Sequence, residues 1–350
     1  MLSSRILTTV EAHAEGEPGR VITGGLPNIT GASVFEKMQN MQALHDDIRL
    51  LMLREPRGNP GLCCNALVPP CDPDADMGFI IMEQTEYPPM SGSNTICVVT
   101  VLLETGILPM SEPLTNLTLE APAGLIKVRA TCLNGKVTAV EFRNVPAFAM
   151  HLDAIIDVPS IGPIKVDIAW GGMFFVLADA DAIGLSLDPD NGSEITRVSE
   201  ALLHATKEQL PVVHPENPNI TGPTLTNLWA RPTDPETDGR GAITISTGPF
   251  DPDHPNEASG ILDRSPCGTG TCAKMAVLHA RGILKLGQTY VNAGPLGTTF
   301  SGRIIEETFV GPYPGIVPSL AGQGWICGHS NYTLDPSDPF PKGYTVGDMW

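Results

Sequence analysis

Apolar residues recur along the chain in two rhythms. Residues 5–11 and 20–23 alternate apolar and polar positions, which predicts short strands on either side of a polar loop. From 31 to 53 the spacing lengthens to the helical one, with Phe35, Met38, Met41, Leu44, Ile48 and Leu51 on one face, and predicts one amphipathic helix lying on a sheet. Turn residues and a short strand fill 55–70, and 78–83 reads as a buried strand. Ser91 then caps a helix that ends at Gly106 and is apolar on nearly every side, so it belongs in the middle of its domain. Strands are expected as a meander over 114–149, with Asn134-Gly135 as a hairpin turn, and again over 157–184 past the paired glycines 171 and 172. A helix capped by Ser193 runs to about 208 before Pro211, a long surface loop fills 211–241, and strand returns at 242–247. Past residue 302 there are strands at 303–308 and 325–328 and then a proline-rich end without chemistry of its own.

The apolar helix occurs twice. A shift of 176 residues lays Ser91-Gly92-Ser93-Asn94-Thr95 on Cys267-Gly268-Thr269-Gly270-Thr271. With no gap, Val101-Leu102 then fall on Val277-Leu278, and Gly106-Ile107-Leu108 on Gly282-Ile283-Leu284. An internal repeat at half the chain length predicts two similar halves, each presenting one nucleophile-type side chain at a helix start. The boundaries expected are 1–130, joined by a tail over about 335–350, and 131–334.

Composition narrows the partners. With 42% apolar and 17% charged residues, 350 residues suffice for two packed cores. Thirty-nine acidic against 21 basic side chains give a net charge of −18, which repels nucleic acid and anionic membrane. No apolar run is long enough for a signal peptide or a membrane span, so a soluble cytoplasmic protein, with a homodimer as one assembly, is expected. Reduced thiols follow, and Cys63, Cys64, Cys71, Cys97, Cys132, Cys272 and Cys327 are assigned to packing. His13, Glu15 and Glu17 read as a solvated turn and not as metal ligands, because no second histidine cluster answers them.

Each repeated motif is an anion cup, since a helix start offers unpaired N–H groups and a partial positive charge, and glycines let a ligand approach. If the halves face one another across a cleft, one carboxylate can be shared while Ser91 and Cys267 stand on opposite sides of it. That suits proton removal from the carbon next to the carboxylate, whose charge then flows onto oxygens held by both helix starts. A thiol at a helix start is the stronger base and a serine hydroxyl the weaker, so the two sides are unequal. Two equal groups favour racemisation, whereas one strong base suits a reaction on one face, such as loss of a 3-hydroxyl trans to the carboxylate. Gly268, Gly270 and Ala273 match a dinucleotide fingerprint, but Arg264, Ser265 and Pro266 stand where a strand must run. His279 lies twelve residues down the same helix, too far to serve Cys267.

At these residues the chain resembles the proline racemase family: 263–271 matches its second active-site motif, 90–94 its first, and 15–25 and 55–58 look like family segments. The resemblance implies an α/β (α+β) fold of the diaminopimelate epimerase type. Its two pseudo-symmetric domains would each be a curved, mostly antiparallel sheet around a central buried helix, with a cleft between them. It also implies a cofactor-free, metal-free enzyme acting on a small imino acid. Cys267 would be an acid/base residue opposite Ser91, and Asp263 would hold the ring amine. Gly92, Ser93, Asn94, Gly268 and Thr269 would bind the rest of the substrate, chiefly its carboxylate through the backbone. Where the family's first motif usually reads Met-Cys-Gly-His, Ser91 and Ser93 stand here. That places the chain with members resembling trans-3-hydroxy-L-proline dehydratases, which form pyrroline-2-carboxylate. The alternatives are 4-hydroxyproline 2-epimerase, or proline racemase-like, activity and a non-catalytic amino-acid-binding protein.

Overall fold

The alternation at the start of the chain folds as a hairpin with almost no loop. In the computed structural model, which describes residues 3–346 apart from 160, 249 and 252–259, only Glu15 and Gly16 separate β1 (Arg5–Ala14) from β2 (Glu17–Gly24). Both turn residues have positive φ, 49° and 104°, as tight hairpins of twisted strands require. The polar loop expected here is therefore mostly strand. Its charges hid the pairing, in which His13 stacks on Trp325 at 5.1 Å and Glu17 is buried.

The chain forms two units, residues up to 142 with those from 322 onward, and residues 143–321. In the first, β2 leads to α1 (Val34–Leu44) and α2 (Asp46–Leu53), then β3 (Cys63–Val68), β4 (Met77–Met82), α3 (Gly92–Glu104), β5 (Leu114–Ala121), β6 (Gly124–Leu133) and β7 (Lys136–Arg143). The single helix expected over 31–53 breaks at His45, whose ψ of 22° and φ of −136° leave the helical region. Two of the six periodic residues, Phe35 and Leu44, are consequently exposed.

In the second unit follow β8 (Ala147–Val158), β9 (Gly162–Trp170), β10 (Phe174–Asp179), α4 (Ala180–Ile183), α5 (Gly192–Gln209), β11 (Val212–His214), β12 (Asn217–Gly222) and β13 (Leu225–Ala230). Then come β14 (Gly239–Ser246), β15 (Gly260–Leu262), α6 (Gly268–Ala280), β16 (Thr289–Ala293), β17 (Thr299–Val310) and β18 (Tyr313–Gly322). The long loop expected over 211–241 holds three of these strands, because a Pro- and Asn-rich composition masks short pairings. Nor is Ser193 the cap of α5: a 3-10 turn over 189–191 runs straight into the helix and places Asn191 there.

Finally β19 (Gly324–Leu334) returns to the first unit and pairs antiparallel along the whole of β1, Arg5 opposite Leu334 and Ala14 opposite Gly324. This pairing and the β6–β7 hairpin move the unit boundaries away from those expected at 130 and 334. The described tail residues lie on the first unit, where Asp338 pairs with Arg57 and Tyr344 N–H donates to Glu55.

The duplication expected from the helices extends to the sheets. In the first unit the series β19-β1-β2-β3-β4-β5-β6-β7 is joined antiparallel, antiparallel, parallel, antiparallel, parallel, antiparallel, antiparallel. The same order of senses joins β8-β9-β10-β13-β14-β16-β17-β18 in the second. The central helix lies in the chain between the strands in the fifth and sixth places each time: α3 packs on β1, β2, β3 and β19, and α6 on the matching β8, β9 and β10 and on β17. This is a mixed α/β fold of two domains, each a mostly antiparallel sheet around one buried helix.

Every residue of α3 from Gly92 to Leu103 is buried, and each fully buried valine or leucine contributes about 1.5–3 kcal/mol. Its threonine hydroxyls are met locally: Thr95, Thr100 and Thr105, the last at the C-cap, each donate to the carbonyl four residues earlier. Both helices stop alike, at Gly106 and Gly282 with φ near 70°, and Leu108 and Leu284 return their N–H to Leu102 and Leu278. Those are the positions where the sequence repeat is sharpest.

Candidate active site

Ser91, Gly92, Ser93 and Asn94 are assembled by the first unit at the start of α3. The extended backbone of Ser91 (φ −148°) makes it the N-cap. Its Oγ accepts from the Asn94 side-chain amide at 2.9 Å and more weakly from the Asn94 N–H at 3.5 Å, with Ser93 Oγ at 3.4 Å. An oxygen that accepts twice keeps its own proton for donation. Asn94 is itself fixed, since its Oδ1 accepts from Asn65 Nδ2 on β3 at 2.6 Å.

Asp263, Cys267, Gly268 and Thr269 are assembled by the second unit at the start of α6. Cys267 is 8% exposed and caps the helix, its Sγ accepting from Gly270 N–H at 3.4 Å and lying 3.7 Å from Thr269 Oγ1. The hydroxyl two residues on thus touches the cap in both motifs. The backbones differ, however: Cys267 has φ +57°, a conformation that non-glycine residues adopt at a cost and that functional sites tolerate.

A local network holds that conformation. Asp263 Oδ1 accepts from both Ser265 N–H (2.7 Å) and Ser265 Oγ (2.9 Å), and Ser265 Oγ accepts from Cys267 N–H at 3.0 Å. Asn292 and Thr271 both donate to the Pro266 carbonyl at 3.1 Å. A Cβ on Gly294 would stand 2.8 Å from Pro266 N, and one on Gly171 2.2 Å from Thr269 O, so both glycines are required by close backbone approach.

Within each helix, the N–H of the residue four beyond the cap donates to the cap carbonyl, Thr95 to Ser91 and Thr271 to Cys267. The N–H groups of Gly92 and Ser93, and of Gly268 and Thr269, precede the first helical bonds and have no partner among the described residues. These are the donors on which an anion cup depends. Asn227 on β13 occupies the place of Asn65 on β3: Asn65 lies opposite Val21 and Ile81, Asn227 opposite Leu177 and Ile243. It donates to the Gly270 carbonyl at 3.2 Å, so a buried asparagine supports each helix start.

Sequence reasoning missed Asn65, Asn227, Ser265, Asn292 and the contact of Gly171. Only the Asp263-x-Ser265 spacing carried a local signal, that of a side chain accepting the N–H two residues on. Among the seven cysteines assigned to packing, Cys327 is exposed and Cys71 half-buried, and the other five are buried. No group of three or more potential ligands that could hold a metal occurs among the described residues, and none of their helices is long and apolar enough to cross a membrane.

The family model described as Proline racemase matches residues 9–345. A crystal structure of a hydroxyproline epimerase from Agrobacterium vitis, with bound trans-4-hydroxy-L-proline, is 35% identical over 100% of this chain and 98% of that one, with a TM-score of 0.90. A probable proline racemase from Agrobacterium radiobacter K84, with bound carbonate, is 38% identical over 98% of both chains, with a TM-score of 0.89. A phenazine biosynthesis protein of the PhzF family from Bacillus anthracis shares the fold at 12% identity, covering 94% of this chain and 99% of that one with a TM-score of 0.57.

Proposed function

The chain belongs to the proline racemase family and is an enzyme of its racemase and epimerase type, and we propose that it epimerises 4-hydroxyproline at C2. Cys267 takes the C2 proton as a thiolate, and the electron pair spreads onto the carboxylate held by the N–H groups of Gly92, Ser93, Gly268 and Thr269. Ser91 returns a proton to the opposite face, and the cycle closes as Ser91 regains a proton from solvent and the Cys267 thiol loses one to it. Donors aimed at developing negative charge are the strongest lever available for such an anion. Asp263 is the proposed partner of the ring amine.

The observation that carries the epimerase reading is the Asn94 amide on Ser91 at 2.9 Å. A plain helix cap needs only a backbone donor, whereas this second donor supports the oxygen as its charge builds. The likeness to the hydroxyproline epimerase supports the same substrate class. A second reading, dehydration of trans-3-hydroxy-L-proline to pyrroline-2-carboxylate, is favoured by one feature: Ser91 has no carboxylate or imidazole hydrogen-bonded to it among the described residues.

Incubation in D2O with L-proline, trans-4-hydroxy-L-proline and trans-3-hydroxy-L-proline separates the two. Epimerisation predicts deuterium at C2 together with cis-4-hydroxy-D-proline. Loss of water from the 3-hydroxy compound alone would instead establish the dehydratase, and no reaction with any of the three would leave a binding protein.

A further inference from the structure

Behind the core that seats Cys267, the second unit contains a cavity of about 730 Å³. Lys274, Val277 and Leu278 on one face of α6, with Arg281 at its C-cap, form one wall. Opposite stand Ile164, Asp167, Leu177, Asp179, Trp229 and Tyr290 of the surrounding strands. Leu177 and Val277 belong to the same apolar cluster as Cys267. Lys274 lies seven residues along the helix from the thiol, about 10 Å by helical rise.

Charges in this wall are matched except for one. Asp167 accepts from Arg281 at 2.6 Å and from the Asp153 N–H, and Asp153 pairs with Arg281 and Lys165. Asp179 caps α4, and Asp238 accepts the Val291 N–H. Lys274 is 7% exposed and lies over the Trp229 ring, 3.3 Å from its centroid, yet it has no hydrogen bond and no ion pair among the described residues. A ring face stabilises a cation but supplies none of the acceptors that three ammonium protons require. Burial accordingly drives Lys274 down to about 7 against the weaker opposing pull of Asp167.

A ligand that supplies the missing acceptor completes the site. Asp153, Asp167, Asp179 and Asp238 are balanced in the lining by Lys165, Arg231, Lys274 and Arg281, so the cavity has no excess positive charge for a dianion such as phosphate, and the wall of Ile164, Leu177, Val277, Leu278 and Trp229 favours an apolar body. We infer that this cavity is a second ligand site, which binds a monocarboxylate with an alkyl or aryl body, its carboxylate on Lys274 Nζ and its body along the aliphatic wall.

Titration calorimetry of the full chain with octanoate tests the assignment, with octan-1-ol as the uncharged probe of the same body. Saturable binding of octanoate is expected, weakened about tenfold or more in Lys274→Met and for octan-1-ol, and unchanged in Cys267→Ala. Absence of saturable binding to the wild type, equal affinity for octan-1-ol, or equal affinity in a folded Lys274→Met would each overturn it. So would loss of binding in Cys267→Ala, which would place octanoate at the helix start instead. Should circular dichroism show Lys274→Met to be unfolded, Leu278→Trp, which fills the cavity from its wall, must abolish binding; retention there overturns the site equally.

Discussion

Ser91 and Cys267 occupy matching caps but differ in backbone as well as in chemistry. Cys267 is held at φ +57° by the Asp263–Ser265 network, whereas Ser91 is extended and held by an asparagine side chain. The second motif has glycine at that asparagine's place, and a Cβ there would stand 3.2 Å from the thiol. Each side therefore fixes its cap atom with a device of its own. Cys267→Ala should lower turnover by about 10²-fold or more, the usual worth of a positioned acid or base, while leaving substrate affinity nearly intact by calorimetry. Ser91→Ala makes the sharper prediction. With only the thiol left, NMR in D2O should still show exchange at C2 of one epimer, but no inverted product. Formation of both epimers by Ser91→Ala would remove the hydroxyl from the reaction.

At the scale of elements, the helix starts are only as well placed as the strands that support them. Asn65 and Asn227 donate to the first turns of α3 and α6 from equivalent strand positions, yet the consequences of removing them differ. Asn65→Leu strips the donor from Asn94 Oδ1, a buried side-chain acceptor, at a cost of about 1–3 kcal/mol. Asn227→Leu strips it from a helix carbonyl that keeps its place in the helical ladder, so its cost should be smaller. Urea denaturation should rank the two in that order, and activity should fall further in Asn65→Leu because Asn94 also holds Ser91. Equal losses would mean that both residues merely fill space. Neither asparagine was legible in the sequence. The helix motifs announce themselves because cap, glycine stop and apolar run are contiguous. Asn65 and Asn227 are 162 residues apart, not 176, and act on residues 29 and 43 positions away. The same physics explains the elements that were misjudged: a break at His45 costs no change in hydrophobic rhythm, and β11 to β13 are short pairings inside a turn-rich composition.

For the whole molecule, two buried ionisable groups in the second unit bend the dependence of stability on pH in opposite directions. Glu200 on α5 is 4% exposed, and burial raises it to about 7 although Ser246 donates to both its oxygens. Between its unfolded value of 4.5 and about 7 the folded chain keeps a proton that the unfolded chain has lost. Stability therefore falls as pH rises through that window and is flat beyond it. Lys274 does the reverse: with 10.5 unfolded and about 7 folded, it favours folding progressively from pH 7 to 10.5. The two contributions meet near neutrality, where each group imposes nearly its full cost. Glu200→Gln keeps an acceptor for Ser246 without the charge and should gain about 2–3 kcal/mol at pH 8 and nothing at pH 4.5. Lys274→Met should gain at pH 6 and lose that advantage toward pH 10.5. Urea denaturation of both variants across this range checks the signs, and a gain in Glu200→Gln that does not vary with pH would show that better packing, not a buried proton, is its cause.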